Sequence, residues 1–117
     1  MKHKNLVLTR QDRRLAFEVF DIISSVTNVP HETFVGNRTR KNTVVILRQI
    51  SSYLLKRFTS LSQAEIGNVL GGYDHSTVIH SIKTVNNWLE SPKIYKTETR
   101  IIDECVILLE EKYGLSN

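Results

Sequence analysis

Cysteine is almost absent from the 117-residue sequence. Cys105 stands alone, so no intrachain disulfide and no thiolate zinc cage can form within it, which suits a reducing, cytoplasmic setting. Two prolines and five glycines leave little material for flexible linkers, and the sequence contains no internal repeat. No apolar run approaches the roughly 18 residues of a membrane span, and Met1-Lys2-His3-Lys4 leads into no signal-peptide core, so no membrane partner is expected. A G-x-x-x-x-G-K-[ST] run is also missing, which leaves no P-loop nucleotide site in this chain. What remains is ordinary globular composition, 40% hydrophobic and 24% charged, unlike disordered, collagenous or coiled-coil chains. A chain of this length can bury about two-thirds of its unfolded surface, enough for one domain over residues 1–117 without staples.

The net charge of +4 is mild, but its distribution is not. Residues 36–58 hold six cations (Arg38, Arg40, Lys41, Arg48, Lys56, Arg57) and no acid. Such a block favours a polyanionic partner over a neutral one.

Nearly every segment carries helical periodicity. Leu15, Val19, Ile22, Ile23 and Val26 repeat at the 3.6-residue period of a first helix over about 6–26, with Thr9 as N-cap. Pro30 breaks it by pushing Val29 out of the helical region. His31 to Val35 fits one short turn, and 36–42 reads as a basic loop. Thr43 is the expected cap of a second long helix, buried along Val44, Leu47, Ile50 or Ser51, Leu54 and Phe58. Arg48, Ser52 and Lys56, four apart, are expected on one exposed row of it. Ser62-Gln63-Ala64-Glu65 is a capping box that opens a short helix ending at Gly71-Gly72. Asp74 is the expected cap of the next helix, cored by Val78, Ile82, Val85 and Leu89, and a last one runs from about Thr97 to Tyr113 with Gly114 as its stop. The fold class is therefore all-α, a compact domain of about five helices. Cys105 and Trp88 read as packing residues, and His3 and His31 as solvent-exposed and idle.

Two short helices joined at Gly71-Gly72-Tyr73 describe a helix-turn-helix over about 62–89. In that unit the first residues of the second helix reach base edges. Asp74 can accept from a cytosine amino group, and His75 can donate or accept. Ser76 and Thr77 add short hydroxyls and a methyl for thymine. Metal binding is not expected, because His75 and His80 lie five apart, about 140° round a helix. No catalytic constellation and no cofactor site is present, so an enzyme is not expected.

The run Ala64-Glu65-Ile66-Gly67, followed by Gly71-Gly72-Tyr73-Asp74-His75-Ser76-Thr77-Val78-Ile79-His80, resembles the signature of the DNA-binding C-terminal domain of the bacterial replication initiator DnaA. Upstream, Arg38-Thr39-Arg40-Lys41, Arg48-Gln49 and Lys56 match in order and spacing, and the resemblance covers about residues 16–110. It implies a Trp-repressor-like helical fold that reads a short asymmetric box in double-stranded DNA as a monomer. It also implies roles. Asp74, His75, Ser76 and Thr77 would contact bases in the major groove, and Arg40 would enter the adjacent minor groove. Arg38, Lys41, Arg48, Gln49, Lys56 and His80 would hold phosphates. The sequence departs from the family pattern in three places. Tyr73 stands for the usual arginine, Asn42 for a second loop arginine, and Ala64 for a frequent proline. Tyr73 and the modest net charge favour a second reading, a protein-interaction or regulatory module that keeps the fold but has lost specific DNA binding.

Overall fold

A computed structural model describes residues 8–114, which form six helices without a strand among the described residues. They are α1 (Arg10–Thr27), α2 (His31–Phe34), α3 (Asn42–Phe58), α4 (Gln63–Gly71), α5 (His75–Glu90) and α6 (Lys96–Tyr113). The all-α expectation holds, with the single turn at His31 supplying the short α2. His3 and the start assigned to the first helix at Leu6 lie outside the described residues.

Local chemistry sets most boundaries. Thr9 accepts from the Asp12 amide while Asp12 accepts from the Thr9 amide, a reciprocal cap that satisfies two orphan donors of α1. Ser62 and Glu65 do the same for α4. Asn28 ends α1 in the left-handed conformation at φ 64°, and Gly114 ends α6 at φ 66°. The start of α3 differs from expectation: Lys41 occupies the cap position with no side-chain bond, and Thr43 lies inside the helix, exposed.

Helix α3 is the axle, packed on α1, α2, α4, α5 and α6. Val44, Leu47, Ile50, Leu54 and Leu55 are buried, and so are Ser51 and Ser52. Ser52 therefore leaves the exposed row assigned to it, because α5 covers the side of α3 that a one-face reading gives to solvent. Ser51 adapts to burial by donating to the Leu47 carbonyl at 2.7 Å. The core side of α1 is Ala16, Val19, Phe20 and Ile23, with Leu15, Ile22 and Val26 only half-buried.

Cys105 is fully buried, and burial pushes its thiol up to about 12. Trp88 packs near the end of α5 with its ring 6.2 Å from that of Tyr95. His31 is not idle: it is half-buried, 4.7 Å from the Phe17 ring and within reach of Phe20 and Phe34, with Nε2 3.6 Å from Asp21. Arg57 and Arg100 are exposed, and each meets a carboxylate, Glu110 and Glu104 respectively, at 3.5 Å.

Candidate nucleic-acid interface

The turn between α4 and α5 is tight for a steric reason. The amides of Gly72 and Tyr73 both donate to the Gly67 carbonyl, at 3.0 and 2.9 Å, folding the turn back over α4. A Cβ at Gly67 would overlap the Tyr73 carbonyl oxygen, so this approach needs glycine there. One residue before the turn, Gly71 sits at φ 123°, and a Cβ on it would lie 2.7 Å from the Gly36 Cα. The loop start is therefore pressed against the helix-turn-helix, where the Gly36 amide also donates to the Leu70 carbonyl at 2.9 Å.

From there the loop is braced inward. Arg38 donates to the Gly72 carbonyl at 3.0 Å, and Arg48 of α3 donates to the carbonyls of Asn37 and, at 3.0 Å, Thr39. Both guanidinium groups lie over the Tyr73 ring, with Cζ 4.5 and 5.2 Å from its centroid. Within the loop, the Asn37 side chain accepts from the Thr39 amide and the Thr39 hydroxyl from the Lys41 amide. Asn37, Thr39 and Tyr73 were not singled out as site residues. The Asn-x-Thr pattern of a side-chain-stabilised turn was a readable signal for the first two. Tyr73 carried none beyond its departure from the family pattern.

At the head of α5, Asp74 takes the cap position but makes no capping hydrogen bond. Its carboxylate instead accepts from the Ser76 hydroxyl and lies 3.2 Å from His75 Nδ1. The Ser76 hydrogen bond is the main reason its pKa falls below the ordinary carboxylate value; partial desolvation opposes the fall and the His75 charge adds to it. The carboxylate therefore stays ionised and acceptor-only. At the start of α5 no side chain caps the helix, and the Thr77 amide donates to the Asp74 carbonyl at 3.0 Å. His75, Ser76, Thr77, His80 and Lys83 are exposed, and so is Ile79, an apolar side chain in the middle of this polar face.

A cleft of about 290 Å³ separates α3 from α5. Arg48 and Gln49 line it from one side and Thr77 and His80 from the other, with Tyr73 and Leu70 at its end. Arg38, Arg40 and Lys41 belong to the loop beside it, and Lys56 lies two turns along α3 from Arg48. Arg40, Lys41 and Lys56 are exposed. Among the described residues, none of the five cations Arg38, Arg40, Lys41, Arg48 and Lys56 meets a carboxylate. The structure thus brings Arg48, Gln49, Thr77 and His80 around one cleft and Arg38 onto its Tyr73, while Arg40, Lys41 and Lys56 are exposed on the elements beside it and Asp74, His75 and Ser76 at the head of α5.

Fold and site together define a helical domain built round a helix-turn-helix and flanked by a braced basic loop. A family model described as the bacterial dnaA protein helix-turn-helix matches residues 17–85, more than half of the chain, and the chain belongs to that family. Its relatives include the chromosomal replication initiator protein DnaA of Bacteroides thetaiotaomicron, 40% identical over 78 residues, which make up 67% of this chain and 16% of that protein. The protein of the same name from Flavobacterium psychrophilum is 43% identical over 60 residues, 51% of this chain and 13% of that protein. The matched stretch therefore spans less than a fifth of either relative.

Proposed function

We propose that this chain is a sequence-specific binder of double-stranded DNA, acting as a monomer at DnaA-box-like sites in replication initiation or its regulation. It is a binding module, not an enzyme, and a chromosomal partner implies work in the cytoplasm. One observation carries the reading: the start of the 36–41 loop is tied to the end of α4 and to the turn that leads into α5, by Gly36 on Leu70 and Arg38 on Gly72. Two adjacent grooves of one duplex then lie within reach of the same rigid unit. The names of the relatives, replication initiators, point the same way.

In this reading Asp74, His75, Ser76 and Thr77 meet base edges in the major groove, the ionised Asp74 suiting a cytosine amino donor. Arg40 enters the adjacent minor groove, where narrow A·T-rich DNA attracts a guanidinium. Arg38, Lys41, Arg48, Gln49, Lys56 and His80 hold phosphates and set the register. For Arg38 and Arg48 this is a second duty. A guanidinium has five N–H donors; the turn at Gly72 takes one from Arg38, and the loop takes two from Arg48. Tyr73 does not favour the alternative of a module without DNA affinity, since it stacks with two arginines and leaves their charge uncompensated.

Binding of a labelled duplex bearing the DnaA box, compared with a scrambled duplex across a salt series, tests this. Engagement of about four phosphates gives a slope of log K against log salt near −3.6. A flat salt response with no preference for the box overturns the reading in favour of the interaction module.

A further inference from the structure

The turn of the helix-turn-helix contains one aromatic ring, and that ring meets both arginines that brace the basic loop. Arg38 comes to it from the loop and then donates to Gly72, 34 residues away. Arg48 comes to it from α3 and then donates to Asn37 and Thr39, 11 and 9 residues away. Tyr73 is therefore the common surface on which three separate segments register. Its ring matters more than its hydroxyl, which is buried and has no hydrogen-bond partner among the described residues. A neutral π face also suits the place chemically: it attracts two guanidinium groups at once and cancels neither charge.

We propose that Tyr73 is the positioning residue of the basic arm. Its ring, by seating Arg38 and Arg48, orders residues 37–41 and so determines where Arg40 projects relative to the head of α5. The ordering step stands without DNA. Only the consequence, that Tyr73 governs the arm's share of sequence preference, rests on the DNA-binding reading above.

The test compares the parent chain with Tyr73→Phe, Tyr73→Leu and Arg38→Ala. The first readout is the backbone order parameters of Thr39, Arg40 and Lys41 in the free protein. Tyr73→Phe keeps the ring and leaves them at parent values. Tyr73→Leu lowers them from the rigid range, about 0.85, to below about 0.6, while those of α5 do not move. Arg38→Ala changes an exposed side chain, so it gives the same loosening even if Tyr73→Leu fails to fold. The second readout is a double-mutant cycle on the box duplex. Arg40→Ala is expected to cost about tenfold in affinity in the parent and less than about threefold beside Tyr73→Leu or Arg38→Ala, because a disordered arm has already forfeited that contact. Unchanged order parameters in Tyr73→Leu and Arg38→Ala overturn the proposal, as does an equal Arg40→Ala penalty in every background. Should the parent show no preference for the box, the DNA-binding reading fails while the order parameters still decide the role of Tyr73.

Discussion

The two sides of this domain use the same cations in opposite ways. On the side of α1 and α6, arginines meet acids: Arg14 pairs with Glu18, Arg100 with Glu104, and Arg57 at the end of α3 with Glu110, each at 3.5 Å. Glu18 also accepts from the Tyr113 hydroxyl at 2.8 Å, linking the last turn of α6 to α1. On the side of α3 and α5, Arg38 and Arg48 are just as firmly held, but by carbonyl oxygens and a ring. A cation held by a carboxylate loses its field at a distance. One held by neutral groups is positioned and keeps it. The acid-free stretch 36–58 makes the second arrangement possible, and the acid-rich α6 makes the first.

Removing what both sides rest on has the largest effect. Phe34 of α2 is fully buried against α1 and α3, and Phe34→Ala should lower unfolding stability by about 3–5 kcal/mol in urea titrations. An unchanged midpoint would mean the two faces do not share one core.

The next test bears on the α5 face alone. His75→Ala should weaken binding to the box duplex by about 1–3 kcal/mol and binding to scrambled DNA little, with stability preserved because His75 is exposed. Equal losses on both duplexes would deny it a base contact.

The α6 side is probed by pH. The Cys105 thiol titrates near 9.0 when unperturbed and near 12 when buried, so the folded state holds its proton longer than the unfolded chain does. The stabilising contribution is complete well below pH 9 and is lost as pH rises toward 12, with about 1.4 kcal/mol of it gone by pH 10. Replacing Cys105 with Ala should remove that part of the alkaline slope in denaturation curves. Parallel slopes for the two proteins would count against the buried neutral thiol.

The smallest effects separate the faces most cleanly. Lys56→Ala should make the salt dependence of DNA binding shallower by about 0.9 in log–log slope, whereas Arg100→Ala should leave it untouched and shift stability by less than about 0.5 kcal/mol. Equal slopes for the two variants would erase the distinction between the sides.

The helical plan was legible because its signals are local. Thr9, Ser62 and Glu65 announce helix starts through bonds that reach only three residues, and Gly71-Gly72 announces a stop. The candidate site was legible in its residue types and in its family signature. Its mechanics were not, because they depend on contacts that no periodicity encodes: Arg38 to Gly72 crosses 34 residues. Ser52 escaped for a related reason. On a helix packed by five others only a narrow strip reaches solvent, and Ser52, one turn on from Arg48, already lies buried toward α5. His31 escaped because aromatic neighbours from α1 enclose a one-turn helix that leaves no periodic trace. The Asp74 capping bond expected from residue type is not made; the carboxylate accepts from the Ser76 hydroxyl and lies beside His75 instead.

The neutral bracing of the loop has one more consequence. Dissolved electrolyte dims attraction between distant charges but scarcely touches hydrogen bonds to amide oxygens or stacking on a ring. Rising ionic strength should therefore relax the hold on a polyanion without deforming the hand that holds it, so that release and rebinding need no refolding step.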